Sequence, residues 1–206
     1  GGAATIDIEA GGLVQTFRNT RIGLSSGGSG VVTATGTGSR FDTADGAPGG
    51  AANDFLVVGQ GGSGELNILD GATAEAETLI IGETNNVTTA TVTLDGAGSI
   101  FDIEDDLRLG DDRRATMTVS NGAVLNVGTN SAGTHDLLIG VQHTADGSDL
   151  IVDGGRVNHL TGAAPAGRLA IGDFGNSADQ PSLQILNGGV VDSDAAVALV
   201  ADQAGS

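Results

Sequence analysis

Two short phrases alternate along the chain, and this periodicity constrains the fold more than any other feature of the sequence. The first phrase is an aliphatic alternation closed by glycine. Its six clear copies are TRIG at 20–23, LVVG at 56–59, LIIG at 79–82, LRLG at 107–110, LLIG at 137–140 and LAIG at 169–172. A degenerate seventh copy, ALVA, ends at Ala201, and successive closing glycines lie 23 to 36 residues apart. Repeats of this length indicate supersecondary units stacked along one axis.

The second phrase is another alternating strand, closed by Asp or Asn with Gly. Its clear copies are GELNILDG, ATVTLDGAGS, ATMTVSNGA, SDLIVDGG and PSLQILNGG, with earlier copies that start at Thr5 and Val31. A third, weaker strand follows in most repeats: RFD at 40–42, IFDI at 100–103, VLNV at 124–127, VNHL at 157–160 and VVDS at 190–193. Each repeat is therefore predicted to contain three short strands.

The period-2 alternation of the second phrase predicts which side chains face the core. The predicted inward pairs are Ile6 and Ile8, Val32 and Ala34, Leu66 and Ile68, Val92 and Leu94, Met117 and Val119, Leu150 and Val152, and Leu183 and Ile185. The residues between them, predicted to face outward, are Asp7, Thr33, Asn67, Thr93, Thr118, Ile151 and Gln184. No stretch of ten or more residues has the 3.6-residue apolar period of an amphipathic helix.

These patterns predict an all-β fold: a right-handed parallel β-solenoid, or β-helix, of about seven irregular coils with three short strands each. Glycines at the corners would supply positive φ angles, and the longest insertions, at 43–53, 130–135, 161–167 and 175–181, would project from the rod. The alternative is an antiparallel β-sandwich, because Asp-Gly and Asn-Gly also favour hairpins. Residues 1–206 are expected to form a single solenoid domain, a segment of a longer or assembled protein.

The charge of the chain restricts its partners. The formal net charge is −18, with 26 acidic residues against eight basic ones. Nucleic acid is excluded as a partner because phosphate neutralisation needs a basic surface, and an anionic membrane would repel the chain. The sequence has no apolar run long enough for a transmembrane helix, so this segment is not expected to insert into a membrane. Cations are the natural counterpart.

The repeated phrases L-x-I-G, G-x-L-x-V and D-G-A-G-S or S-N-G, followed by a hydrophobic pair, resemble the passenger-associated repeats of bacterial autotransporters. They are also similar to the repeats of exosortase-sorted surface proteins. The resemblance extends from Thr5 to Ala201 and is clearest over 79–102 and 107–127. It implies a secreted β-helix displayed at a bacterial surface, and it implies no catalytic residues.

The densest acidic segment runs from 102 to 112, where six of eleven residues are carboxylates. Calcium prefers several oxygen ligands, and a turn flanked by acids can supply them. The candidate ligands are Asp102, Glu104, Asp105, Asp106, Asp111 and Asp112. The alternative is a solvated acidic face paired with nearby arginines. Calcium is the one candidate ion, and no other cofactor is expected.

The predicted function is structural and adhesive: an extracellular repeat rod at a bacterial cell surface that displays loops or associates with copies of itself. Its partners would be further copies, end to end or laterally, or surface glycans on a host. The chain is not expected to be an enzyme. The alternative is a polysaccharide-binding or polysaccharide-degrading β-helix, although the absence of Tyr, Trp and Lys removes the usual sugar platforms and one elimination base.

Overall fold

The computed structural model describes residues 1–44, 54–84, 89–130, 133–141, 147–161, 167–172, 180–195 and 197–200. The described residues form strands and turns, with no helix and hence no helical membrane span. Three sheets of seven strands each surround the core, and we number them sheets 1 to 3. Sheet 1 contains β1 (Ala3–Ile8), β4 (Ser29–Thr35), β7 (Ser63–Leu69), β10 (Ala90–Asp95), β13 (Thr116–Ser120), β16 (Asp149–Asp153) and β19 (Ser182–Leu186).

Sheet 2 contains β2 (Leu13–Gln15), β5 (Arg40–Asp42), β8 (Thr73–Ala76), β11 (Ile100–Ile103), β14 (Val124–Val127), β17 (Arg156–His159) and β20 (Val190–Ser193). Sheet 3 contains β3 (Thr20–Ile22), β6 (Phe55–Val58), β9 (Thr78–Ile81), β12 (Leu107–Leu109), β15 (Leu137–Ile139), β18 (Arg168–Ile171) and β21 (Val197–Val200). The chain visits the three sheets in turn, so three successive strands make one rung of the stack.

The strand pairing confirms the predicted parallel solenoid. Each strand pairs in parallel with the equivalent strand of the next rung, as β10 does with β13 and β7. The antiparallel sandwich is therefore wrong: an Asp-Gly or Asn-Gly turn here joins a strand of sheet 1 to a strand of sheet 2 instead of closing a hairpin. Three of the four predicted projecting insertions lie largely outside the described residues. The fourth, 130–135, is mostly described, and its His135 is buried instead of projecting.

Glycine closes the first phrase because the corner after sheet 3 requires a left-handed backbone. Gly23, Gly59, Gly82, Gly110, Gly140 and Gly172 have φ between 70° and 76°. A β-carbon at Gly82 would also lie 2.6 Å from the carbonyl oxygen of Arg113. The recurring glycine thus meets two requirements, a positive φ and a close approach of the next rung's backbone.

The prediction of which sheet 1 side chains face the core is confirmed in the interior rungs. From β4 to β16 both members of each predicted inward pair are buried, and they join one hydrophobic cluster with Phe41 and Phe101. The terminal strands differ, because Ile6 is 44% and Ile185 is 50% exposed. Their strands, β1 and β19, each have a neighbour on one side only, so no further rung covers these side chains.

Sheet 3 is apolar on both faces over much of its length. The residues between its inward positions stack in register, and most of them are buried and aliphatic: Val57, Ile80, Leu138 and Ala170. Arg108 interrupts this column between Ile80 and Leu138. Sheet 3 therefore lacks the polar outer row that the second phrase places on sheet 1.

Candidate functional site

The six predicted calcium ligands are distributed over separate places around sheets 2 and 3. Asp102 lies in β11 on the outer face of sheet 2, while Glu104, Asp105 and Asp106 occupy the bend between β11 and β12. Asp111 and Asp112 follow β12, whose three residues extend the chain by about 10 Å. The contiguous acidic segment is thus divided between the two ends of one strand.

Several of these carboxylates already have protein partners. Asp102 Oδ1 accepts a 2.6 Å hydrogen bond from Asn126 Nδ2. Asp106 Oδ1 accepts a 2.8 Å hydrogen bond from the backbone N–H of Asp136, and its Oδ2 lies 3.4 Å from Arg108 Nη2. Across the parts of the chain that the structure describes, no three His, Asp or Glu side chains are grouped so that they could hold a metal ion. The calcium site stays a prediction.

Partial burial raises the free-energy cost of ionising three of these carboxyl groups. Partial burial raises the pKa of Glu104, and the nearby carboxylates of Glu75 and Glu77 raise it further. Burial likewise raises the pKa of Asp105, partly opposed by His135. At the other end of β12, burial raises the pKa of Asp111 although Arg108 favours its charged form. Like charges are therefore held close together in a partly desolvated surface.

His135 is a buried polar group beside the corner. Its Nε2 lies 2.8 Å from the carbonyl oxygen of Asn130, and because a carbonyl only accepts, Nε2 carries the proton. Its Nδ1 is 3.4 Å from Asp105 Oδ1, and within the described residues it has no partner in hydrogen-bond geometry. This histidine fixes the Asn130 backbone against the acidic bend.

A polar column runs along the outer face of sheet 2 and crosses the whole stack. Register places one amide or carboxylate side chain above the next on every rung: Gln15, Asp42, Glu75, Asp102, Asn126, Asn158 and Asp192. We call this set the polar ladder. Neighbouring strands in a sheet are about 4.8 Å apart, so adjacent members are within hydrogen-bonding reach.

Hydrogen bonds connect three of the six neighbouring pairs in the polar ladder. Gln15 Nε2 donates to Asp42 Oδ2 at 3.1 Å. Asn158 Nδ2 donates to Asn126 Oδ1 at 2.8 Å, and Asn126 donates in turn to Asp102. Donor and acceptor alternate along these runs, so the amides relieve the repulsion that seven stacked carboxylates would produce.

Two arginines flank the polar ladder and neutralise part of its charge. Arg40 lies 3.0 Å from Asp42 Oδ2 and also pairs with Glu75 on the next rung. Arg156 Nη1 donates to Asn158 Oδ1 at 3.2 Å and lies 3.7 Å from Asp192 Oδ2. Both arginines are about half exposed, so each pair contributes little to stability by itself.

Sequence reasoning did not identify the polar ladder, although its signal is present. The third phrase carries Asp or Asn directly after an inward apolar residue in RFD, IFDI, VLNV, VNHL and VVDS. These positions become one column only when the strands of the phrase are stacked in register. A comparison of equivalent positions across the repeats could have shown it.

Comparison with known proteins assigns no family to this geometry: no family model, no curated protein and no solved structure matches the chain. The polar ladder and the acidic bend are therefore interpreted from their own chemistry. The ladder presents a regular series of hydrogen-bonding groups on a flat sheet. The acidic bend presents carboxylates of raised pKa that a cation or a proton would stabilise.

Proposed function

We propose that the chain is a structural and adhesive repeat segment, a rod that displays surface groups or associates with copies of itself outside a bacterial cell. The observation that carries this proposal is that the repeated sequence positions serve to stack one rung on the next. Inward aliphatics fill the core, glycines form the corners, and sheet 2 presents one polar group on every rung. A rod of this kind offers extended, periodic surfaces for binding.

The sequence resemblance supports the proposed location. The phrases LIIG with TVTLDGAGSIFD, and LRLG with TMTVSNGAVLNV, resemble autotransporter passenger-associated and exosortase-sorted repeats. Proteins with such repeats are secreted and displayed on bacterial surfaces. Protease treatment of intact cells that produce the native protein tests this location. Loss of the chain without loss of a cytoplasmic marker is expected, and full protection would contradict a surface location.

Exposed apolar side chains at both terminal rungs support association between copies. Leu13, Phe17 and Leu24 are each more than half exposed near the first rung. Ile185, Leu186 and Val190 are exposed on the last one. Ile6 and Ile185 lie at inward positions of the terminal rungs and would be covered either by a further rung of a longer chain or by the terminal rung of another copy. Stacking of two copies in this way would continue all three sheets.

Light scattering against protein concentration tests the association. The average mass of the isolated chain should increase with concentration, because end-to-end stacking is a mass-action equilibrium. Leu24→Glu places a charge in the proposed contact and should abolish the increase. Thr93→Glu, on the outer face of sheet 1, serves as the control for added charge and should associate like the unaltered chain. A mass that is independent of concentration would contradict self-association.

A further inference from the structure

A cleft of about 220 Å³ lies on the outer side of sheet 2 near the last rungs. Its lining residues are Asn126, Asn158, His159, Leu160, Asp192 and Asp194. Three of these are consecutive members of the polar ladder, carried by β14, β17 and β20. The cleft is smaller than the roughly 300–1,000 Å³ of sites for drug-sized ligands, so it suits one small ring.

The cleft presents hydrogen-bond donors and acceptors side by side. Each asparagine amide has two N–H groups, and the ladder uses one of them in the bonds from Asn158 to Asn126 and from Asn126 to Asp102. The second N–H of each amide is not used in these two bonds. Asp192 adds a carboxylate whose side chain is 75% exposed. Leu160, almost half exposed, adds an apolar surface beside these groups.

The floor of the cleft is held in place by three hydrogen bonds, one of which is buried. His159 is fully buried, with its Nε2 2.8 Å from the carbonyl oxygen of His135 and its Nδ1 2.9 Å from Ser193 Oγ. Asp194 Oδ1 accepts a 2.7 Å hydrogen bond from the backbone N–H of Thr161. His159 and Asp194 are thus held in position before any ligand arrives, which lowers the entropic cost of binding.

We propose that this cleft binds a single ring of a neutral carbohydrate, a proposal that rests on the adhesive function above and gives it a ligand class. Adjacent sugar hydroxyls can accept from the Asn126 and Asn158 amides and donate to the Asp192 carboxylate. A face of C–H groups can pack on Leu160. An anionic ligand would be repelled by Asp192 and Asp194. A metal ion would find the Oδ1 atoms of Asn126 and Asn158 already accepting hydrogen bonds from Asn158 and Arg156.

The test is a titration of the full chain, followed through the side-chain amide signals of Asn126 and Asn158 in ¹H–¹⁵N spectra. The probes are the methyl glycosides of glucose, galactose, mannose and N-acetylglucosamine, with sorbitol as a non-ring polyol. At least one glycoside should shift both amide signals, with a dissociation constant on the order of millimolar for so small a contact. Sorbitol should shift them less at the same concentration.

Asp192→Ala should weaken this binding by about tenfold, the effect of losing one hydrogen bond to a charged group. Asp7→Ala removes an exposed carboxylate from β1, far from the cleft, and should leave binding unchanged. The proposal is overturned if no glycoside shifts the two amides, if Asp192→Ala binds as tightly as Asp7→Ala, or if calcium chloride alone shifts them. Because the titration follows one cleft, its failure would leave the surface-exposure and light-scattering results intact.

Discussion

The backbone N–H of Gly71 donates a 2.9 Å hydrogen bond to Oγ of Ser99, which belongs to the following rung. The same hydroxyl donates to the carbonyl oxygen of Asp95 at 2.6 Å. Ser99 is fully buried, so it satisfies two backbone groups at a corner that water does not reach. Ser39 makes the equivalent contact to the N–H of Gly11 two rungs earlier. A side chain here completes the backbone hydrogen bonding between rungs.

Ser99→Ala should destabilise the protein by about 1–3 kcal/mol, because the Gly71 N–H would remain buried without a partner. Ser29→Ala, at an exposed position in β4, should change the free energy of unfolding by less than about 0.5 kcal/mol. Urea denaturation measures both. Equal unfolding midpoints for the two variants would contradict the role assigned to the Ser99 hydroxyl.

Leu94→Ala should cost about 2–5 kcal/mol, through lost transfer energy and a cavity in the fully buried column between Ile68 and Val119. Thr93 directly precedes Leu94 in β10 and points outward, so Thr93→Ala should cost less than about 1 kcal/mol. Thermal melting compares the two changes at adjacent positions. A larger loss of stability for Thr93→Ala than for Leu94→Ala would contradict the assignment of Leu94 as inward and Thr93 as outward.

Gly82→Ala should be more damaging than Gly36→Ala, although both glycines have a positive φ, 76° and 84°. A β-carbon at Gly82 would collide with the backbone of Arg113, whereas one at Gly36 would meet nothing within 4 Å. Backbone strain alone costs on the order of 1 kcal/mol, and the collision adds to it. Urea denaturation measures both losses of unfolding free energy. Equal losses would contradict the collision, because the backbone at Gly82 would then move away from Arg113 at no cost.

Glu104→Gln should raise the melting temperature at pH 7 and reduce its dependence on pH. Because the folded pKa of Glu104 lies above the ordinary value of 4.5, the folded protein binds this proton more tightly than the unfolded chain does. The stabilising contribution is complete below about pH 4.5 and is lost as the pH rises through the folded pKa. Glu9→Gln, at an exposed position, controls for the removed charge. Identical pH profiles for the two variants would contradict this cause.

Calcium should raise the melting temperature, as should sodium chloride, because the net charge is −18 and screening relieves self-repulsion. A specific calcium site predicts a further increase above that of sodium chloride at matched ionic strength. Asp105→Asn should remove that excess, and Asp7→Asn should retain it. Equal effects of the two salts at matched ionic strength would favour the solvated acidic face.

The sequence predicts those parts of the fold that depend on local rules. Alternation in TVTLD identifies Val92 and Leu94 as core residues, and Gly82 marks a corner because its φ is positive. Polar side-chain contacts across rungs were not predicted, because they form only when the register between strands of successive rungs is fixed. Asn126 and Asn158 are 32 residues apart and meet only after the register is set.

The acidic segment shows how an extended strand separates residues that are close in sequence. Asp106 and Asp111 are close in sequence, and the prediction placed them in one site. The extended strand β12 lies between them and carries them to different corners. Each residue of an extended strand adds about 3.3 Å to the distance between the residues on either side of it. Ligands that must lie close together therefore need a turn between them.

The register of the three sheets also bears on how such a chain evolves. Each rung pairs only with the rungs before and after it, and connections of different length leave the strand pairing unchanged. Duplication or deletion of one complete repeat would therefore preserve the pairing on both sides of the altered segment. Rod length can change in steps of about 4.8 Å through single genetic events, while loop sequences diverge independently of the core.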